Sequence, residues 1–157
     1  MNHADDKLSL VIAELIPPEA ANFSGKAHGG YLLHSLDRVA YACATLYAGN
    51  YTVTLSVDQV VFREPVYVGE LVTFKASINR VGKTSMEVGI RVIAENLTTG
   101  QKRHTNTCYF TMVALDKDGK PTHIPPYTPE TEEQQRRYKE AEFRHNLRLE
   151  LAKKHHN

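Results

Sequence analysis

The sequence lacks the features of several large protein classes. It has two cysteines, Cys43 and Cys108, too few for a disulfide framework. Each lies inside an apolar run, so a small core residue is favoured over a catalytic thiol. No apolar stretch is long enough to span a bilayer. Residues 1–7 are polar and the apolar run 8–16 is short and contains Glu14, so we expect no signal peptide and a cytoplasmic protein.

Charge and motif content exclude further classes. A formal net charge of +1 gives no long-range attraction to nucleic acid or to anionic membranes, so we expect neither as a partner. The eight histidines include no pair with zinc-ligand spacing, since His28 and His34 are far apart and 155–156 is a chain end. We therefore expect no metal. The sequence has no G-x-S-x-G elbow, and residues 82–85 lack the upstream glycine of a phosphate-binding loop.

Apolar periodicity predicts one long helix followed by strands. Residues 30–48 carry apolar side chains at three- and four-residue spacings, which indicates a helix enclosed on most sides. A first strand precedes it at 8–16 and stops at Pro17. After Gly49 the period changes to two, which predicts four further strands in an antiparallel meander, at 51–62, 70–81, 84–95 and 101–115. The expected fold class is α+β, a long antiparallel sheet wrapped around one central helix.

The chain divides into a domain and a tail. We assign residues 1–125 to the domain and residues 126–157 to a linker and C-terminal helix, because 121–129 is rich in proline and 131–154 is helical in pattern. The apolar stripe of the tail is narrow (Phe143, Leu147 and Leu151), which indicates a solvated helix laid along the domain or a neighbouring subunit. One helix cannot cover five strands, and open sheet edges need a partner, so we expect an oligomer.

One acid stands out in the central helix. Asp37 is its only acidic residue and lies about two turns in, among leucines and alanines. Burial there is expected to raise its basicity, as a catalytic base requires. The alternative, which periodicity alone favours, is that Asp37 has no catalytic role and lies on a narrow solvent-exposed face of the helix with His34 and Arg38.

Residues before that helix suit the stabilisation of negative charge. His28, Gly29 and Gly30 lead into the helix, where free backbone N–H groups favour a developing oxyanion. Asn22 is suited to orient a water molecule or a carbonyl. Ordinary helix entry and a turn-forming asparagine are the simpler readings of these residues.

Taken together, these segments resemble the hotdog-fold acyl-CoA thioesterases of the cytosolic acyl-CoA hydrolase group. The resemblance covers residues 8 to about 125, in the expected order. It is carried by the helix entry Ala21-Asn22-Phe23-Ser24-Gly25-Lys26-Ala27-His28-Gly29-Gly30 with Asp37, and by residues 56–58, 62–66, 68–70 and 80–88.

The resemblance implies a function and an assembly. It implies hydrolysis of fatty acyl-CoA to fatty acid and coenzyme A without a cofactor. It implies paired subunits that share one sheet, usually as a trimer of pairs, with Asn22 and Asp37 as catalytic groups at an inter-subunit site. Asp37 would act as general base toward water, or alternatively as nucleophile, and backbone N–H near Gly30 would hold the oxyanion. Groups expected to bind coenzyme A are Arg63, Arg80, Lys83, Thr84, Ser85 and Arg91.

Two other functions remain open at this point. The first is an acyl-CoA hydratase or dehydratase of the same fold, which would pair an acid with a histidine such as His28 or His34. The second is a non-catalytic acyl-CoA sensor, against which the presence of both Asn22 and Asp37 counts.

Overall fold

A computed structural model describes residues 7–155. Residues 1–6, which we assigned to the first domain, and residues 156–157, which we assigned to the tail, lie outside the described residues. Five strands form one antiparallel sheet in the order β1-β3-β4-β5-β2. The elements are β1 (Ser9–Leu15), a short 3-10 helix (Pro18–Ala20), α1 (Gly29–Ala48), β2 (Thr52–Val57), β3 (Leu71–Val81), β4 (Ser85–Glu95), β5 (Lys102–Ala114) and α2 (Glu132–His155). The predicted α+β class, with one sheet around a central helix and a helical tail, is confirmed.

The position of β2 differs from the predicted meander. Only β3, β4 and β5 follow one another as hairpins, while β2 pairs with β5 at the far edge. Residues 58–70 separate β2 from β3 and are too many for a tight hairpin turn. The expected four-strand meander is therefore wrong, and β1 and β2 form the two edges of the sheet.

The core lies between α1 and the inner face of the sheet. Leu36, Ala40 and Ala44 are completely buried on the helix stripe that faces the strands. Alternate residues of β3, β4 and β5 meet this stripe, as the two-residue period of a strand requires. These buried strand residues include Phe74, Ile78, Met86, Val88, Ile90, Cys108, Phe110 and Met112.

The outer face of the sheet is polar and is covered by α2. Glu87 is only 3% exposed there and accepts hydrogen bonds from Arg144 Nη2 at 2.6 Å and Arg148 Nη2 at 3.3 Å. Arg80 of β3 pairs with Glu142 of α2. The tail helix therefore lies along the domain, as expected, but it packs through its arginines.

The apolar stripe of α2 points away from the sheet. Phe143, Leu147 and Leu151 are 70%, 46% and 49% exposed. A buried carboxylate is stable only when cations and hydrogen bonds compensate it, so Glu87 selects the arginine face of α2. Neither helix of the described chain combines the length and apolarity needed to cross a membrane. The division at residue 125 stays a prediction.

Both cysteines are core residues, as the sequence indicates. Burial raises the pKa of the Cys43 thiol and of the Cys108 thiol to about 12. A raised pKa keeps the reactive thiolate scarce at neutral pH. We expect no reaction of either thiol with a disulfide reagent at pH 8 in native protein, and reaction of both in denaturant. Labelling of folded protein in a mass spectrum would contradict this.

Gly89 is required by the polar outer face. A Cβ at Gly89 would collide with the amide Nδ2 of Asn79, which is buried and donates to Glu87 Oε1. We expect Gly89→Ala to lower the free energy of unfolding by about 1–3 kcal/mol, the range for overpacking and a lost buried hydrogen bond. Urea denaturation measures this. Gly30→Ala is the matched control for stability, because its Cβ would meet nothing within 4 Å.

Candidate active site

A second stripe of α1, beside the core stripe, faces an open groove. Gly30, Leu33, His34 and Asp37 recur at three- and four-residue spacing and line this groove, which has a volume of about 630 Å³. The opposite wall is formed by Phe110 of β5, by Val57 at the end of β2, and by Asp58 and Val60 in the segment that follows it. The groove is apolar except for its few charged groups, as a site for an acyl chain requires.

Asp37 is exposed in this chain. The expectation of a desolvated acid is therefore wrong for the isolated chain, because the flank of α1 that carries Asp37, His34 and Arg38 is open rather than enclosed. The Asp37 carboxylate is nevertheless held in place. Thr54 Oγ1 of β2 donates a hydrogen bond to Asp37 Oδ1 at 2.5 Å.

The start of α1 offers free backbone donors. His28 is the N-cap and contributes no side-chain cap, and the first helical bond runs from Leu32 N to the His28 carbonyl at 3.2 Å. The N–H groups of Gly29 and Gly30 precede that bond and have no helical acceptor. Both glycines are exposed, so a ligand can reach these donors.

Asn22 lies in a turn, as the simpler reading predicted. Its Oδ1 accepts hydrogen bonds from the backbone N–H of Ser24 and of Lys26, at 2.9 and 3.1 Å, and from Ser24 Oγ at 2.9 Å. Because Oδ1 is anchored, the direction of the Nδ2 donor is fixed. Neither Asn22 nor His28 lines the groove that contains Asp37 of the same chain.

The predicted coenzyme A ligands fall into separate places. Lys83 and Thr84 lie in the turn between β3 and β4, where Lys83 is exposed, and Ser85 is the first residue of β4. Ser85 pairs with Val113 of β5, and the adjacent Met112 pairs with Thr54 of β2. Along the strand direction, this turn is therefore level with Thr54, the residue that bonds to Asp37. Adjacent strands are about 4.8 Å apart, which puts β4 roughly 10 Å from β2.

Two of the remaining cations, Arg63 and Arg91, lie away from that turn, whereas Arg80 reaches it beside Gly82 but is already paired. Arg80 is committed to Glu142, so the structure argues against it as a free phosphate ligand. Arg91 lies on the outer face beside Lys75, in a cleft under α2. It is six residues along β4 from Ser85, or roughly 20 Å. Arg63 is exposed in the segment after β2, and its backbone N–H bonds to the Thr105 carbonyl at 3.3 Å.

Thr54 is a residue of the candidate site that was not predicted from the sequence. The residue lies 17 positions after Asp37, and a threonine in a strand is ordinary, so nothing in the local pattern distinguishes it. Pairing of β2 with β5 at the sheet edge brings Thr54 under α1. That pairing order is the part of the topology that the sequence did not predict.

Comparisons with known proteins agree with this geometry. The family model described as the thioesterase superfamily matches residues 24–101. Protein VdlD of Helicobacter pylori is 51% identical over 94% of this chain and 87% of its own length. A hexameric acyl-CoA thioesterase of known structure is 35% identical, covers 94% of each chain and superposes with a TM-score of 0.89.

A Staphylococcus aureus acyl-CoA hydrolase, solved with butyryl coenzyme A and coenzyme A, is 28% identical with a TM-score of 0.83 over 95% of this chain and 93% of its own. Its variants with known structures replace an Asn, an Asp and a Thr by Ala. The three replaced positions are 15 and 17 residues apart in sequence. Asn22, Asp37 and Thr54 have the same two spacings here.

Proposed function

The chain belongs to the thioesterase superfamily as an acyl-CoA thioester hydrolase of the hotdog fold, and we propose that it cleaves fatty acyl-CoA by Asp37-assisted attack of water at a site shared by two subunits. The observation that carries this proposal is the position of Asp37. It lies on the wall of an apolar groove, fixed by Thr54, at the spacing of the Asp and Thr replaced in the S. aureus hydrolase.

The proposed reaction needs one base and one oxyanion site. Asp37 takes a proton from water as the water oxygen attacks the thioester carbonyl carbon. The carbonyl oxygen becomes an oxyanion, which the free N–H groups at Gly29 and Gly30 stabilise. When the intermediate collapses, the carbon–sulfur bond breaks and the proton on Asp37 passes to the sulfur of coenzyme A. Direct attack by Asp37 on the carbonyl carbon, with later hydrolysis of the anhydride, is the variant.

Two features support a site shared between subunits. Phe23, next to Asn22, is fully exposed at a loop tip, with 109% relative accessibility, and therefore needs a cover. The edge strand β2 exposes Leu55 and Val57, at 67% and 41%, so a second copy is the natural partner for this edge. Two-fold pairing through β2 would bring the Asn22 loop of one subunit to the Asp37 groove of the other. Asn22 Nδ2 would then donate to the water or to the thioester.

Assembly beyond the pair is also part of the proposal. A relative of known structure is a hexamer, and we propose the same trimer of pairs here. Lys83, Thr84 and Ser85 are the best-placed groups for coenzyme A, since Arg80 is engaged with α2. The absence of a cofactor and of a metal, the absence of nucleic-acid and membrane partners, and a cytoplasmic location stay predictions.

The surroundings of Asp37 favour hydrolysis over the hydratase alternative. In residues 7–155 the hydrogen bond to Asp37 comes from Thr54, and none comes from His34, which is three residues away on the same helix. A panel of saturated and 2,3-unsaturated acyl-CoA substrates separates the functions. A hydrolase releases free thiol, a hydratase changes the unsaturated acyl group without releasing thiol, and a sensor does neither.

Asp37→Asn tests the base. We expect turnover to fall by a factor of roughly 10² or more while fold and assembly are kept, because the variant cannot accept a proton. Thiol release measures turnover, and sedimentation verifies assembly. Asp118→Asn, on an exposed turn, is the control. Near-normal turnover in an intact Asp37→Asn oligomer would refute the assignment.

Thr54→Val tests the orientation of Asp37. The change keeps the shape and removes the donor, and a hydrogen bond to a charged group contributes about 1.5–3 kcal/mol. We expect kcat to fall about 10- to 100-fold, the equivalent change in rate. Thr111→Val is the matched control, since the Thr111 hydroxyl is buried on the outer face without a hydrogen-bond partner in the described chain. Equal kinetics for both variants would remove Thr54 from the site.

A mixed oligomer tests the shared site. Asn22→Ala and Asp37→Ala are each expected to be nearly inactive alone. When equal amounts re-pair at random, about half of the pairs are mixed, and each mixed pair holds one intact site and one with both lesions. Roughly a quarter of the wild-type sites should therefore return. Mixed pairs, verified by differently tagged subunits, that recover no activity would place both residues within one chain.

A further inference from the structure

We infer that α2 holds one wall of the acyl groove in place, and that Arg148 is the positioning residue through which it does so. The inference rests on the proposed function for its kinetic consequence. Structurally, the Arg148 side chain links the buried Glu87, on the outer face of the sheet, to Asp58 on the groove wall.

The bridge is made by a single side chain. Arg148 Nη1 donates to Asp58 Oδ1 at 3.0 Å and to Asp58 Oδ2 at 2.8 Å. Arg148 Nη2 donates to Glu87 Oε2 at 3.3 Å. The side chains of Arg148 and Asp58 are 22% and 23% exposed and that of Glu87 is 2% exposed, so solvent only partly screens these contacts.

The groove wall has few other backbone attachments, although the Val60 side chain packs against the core. Residues 58–66 form no regular secondary structure apart from a bend at Glu64. Asp58 N bonds to the Tyr109 carbonyl at 3.0 Å, and Arg63 N bonds to the Thr105 carbonyl at 3.3 Å. In the described chain, no backbone N–H of residues 59–62 donates to a backbone carbonyl. The Asp58 side chain is therefore an important anchor at the start of this wall.

Stabilising Glu87 is not the specific role of Arg148. Arg144 already donates to Glu87 through both Nε and Nη2. Its guanidinium also stacks on Tyr109, 3.6 Å from the ring centroid. Without Arg148, Glu87 keeps a paired cation, whereas Asp58 loses both of its hydrogen bonds from α2. The contact that only Arg148 supplies is the one with the groove wall.

The kinetic consequence depends on chain length. Val57 and Val60 flank Asp58 on the wall and face Leu33 across the groove, where the acyl chain would lie. Asp37 and Thr54 belong to α1 and β2, and in the described chain neither forms a hydrogen bond with Arg148. Loosening the wall should therefore weaken the binding of long acyl chains and leave the chemical step on short chains unchanged.

The kinetic test compares two arginines of α2. Arg148→Met removes the charge and keeps much of the side-chain length, and Arg137→Met, which breaks only a pair with Glu133, is the matched control. We expect KM for lauroyl-CoA to rise about tenfold in Arg148→Met, which corresponds to about 1.4 kcal/mol of lost binding, with kcat for butyryl-CoA within about twofold of wild type. Arg148→Lys should recover part of the KM, because it keeps a charge near Asp58.

A second readout is independent of activity. Hydrogen exchange of the full-length protein should show faster exchange at residues 58–63 in Arg148→Met and in Asp58→Asn, but not in Arg137→Met. Unchanged exchange in that segment would overturn the inference. An equal loss on both substrates, or the same loss in Arg137→Met, would overturn it as well. If the wild type hydrolyses no acyl-CoA, the proposed function fails, and the exchange result still decides the role of Arg148.

Discussion

The packing of α1 on the inner face of the sheet fixes where everything else lies. Leu36 is completely buried, and the next residue along the helix is Asp37. Successive helix residues are about 100° apart, so burying Leu36 turns Asp37 onto the flank that faces β2. The site is thus placed by the core. A change that rotated α1 would move the carboxylate away from Thr54 without touching either residue.

The outer face of the sheet sets a second constraint. Glu87 lies in the middle strand of the β3-β4-β5 meander with almost no access to water, and it must be paired to remain charged. This requirement brings the arginines of α2 onto the sheet. It also explains why the apolar residues of α2, Phe143 among them, point outward. The helix that neutralises Glu87 is then in position to reach Asp58 at the groove.

Local patterns predicted the elements but not the contacts between them. Periodicity placed α1 and four of the strands to within one residue or so at each end, because burial imposes a period on each element. The strand predicted at 51–62 was too long, since β2 ends at Val57. Periodicity did not predict that β2 pairs with β5, which depends on how residues 58–70 cross the sheet. Arg144 lies four residues after Glu140 on the same helix, a spacing that favours an ion pair, yet it bonds to Glu87, 57 residues away. A buried acid competes better for an arginine than an exposed one does.

The same limits apply to the site. Residue type and setting make Asp37 and Asn22 candidates, although the local pattern alone favours a structural role for each, and the family resemblance supplies the catalytic roles. Thr54 was missed because its partnership with Asp37 exists only once β2 lies at the sheet edge. The proposed sharing of the site between two copies of the chain leaves a further gap, since one sequence pattern does not say which loop meets which groove.

Charge pairing distinguishes Asp37 from Asp58, Glu70 and Glu87. Asp58 and Glu87 are both bound to Arg148, and Glu70 is bound to Arg103, so these acids are structural. Within residues 7–155, Asp37 forms no ion pair, and its one hydrogen bond comes from a neutral hydroxyl. Both oxygens of the Asp58 carboxylate accept hydrogen bonds from Arg148, whereas in the described chain Oδ2 of Asp37 accepts none and keeps its lone pairs for water. Of the two acids on the groove, Asp37 is therefore the one suited to act as base, and Asp58 is the one suited to hold the wall.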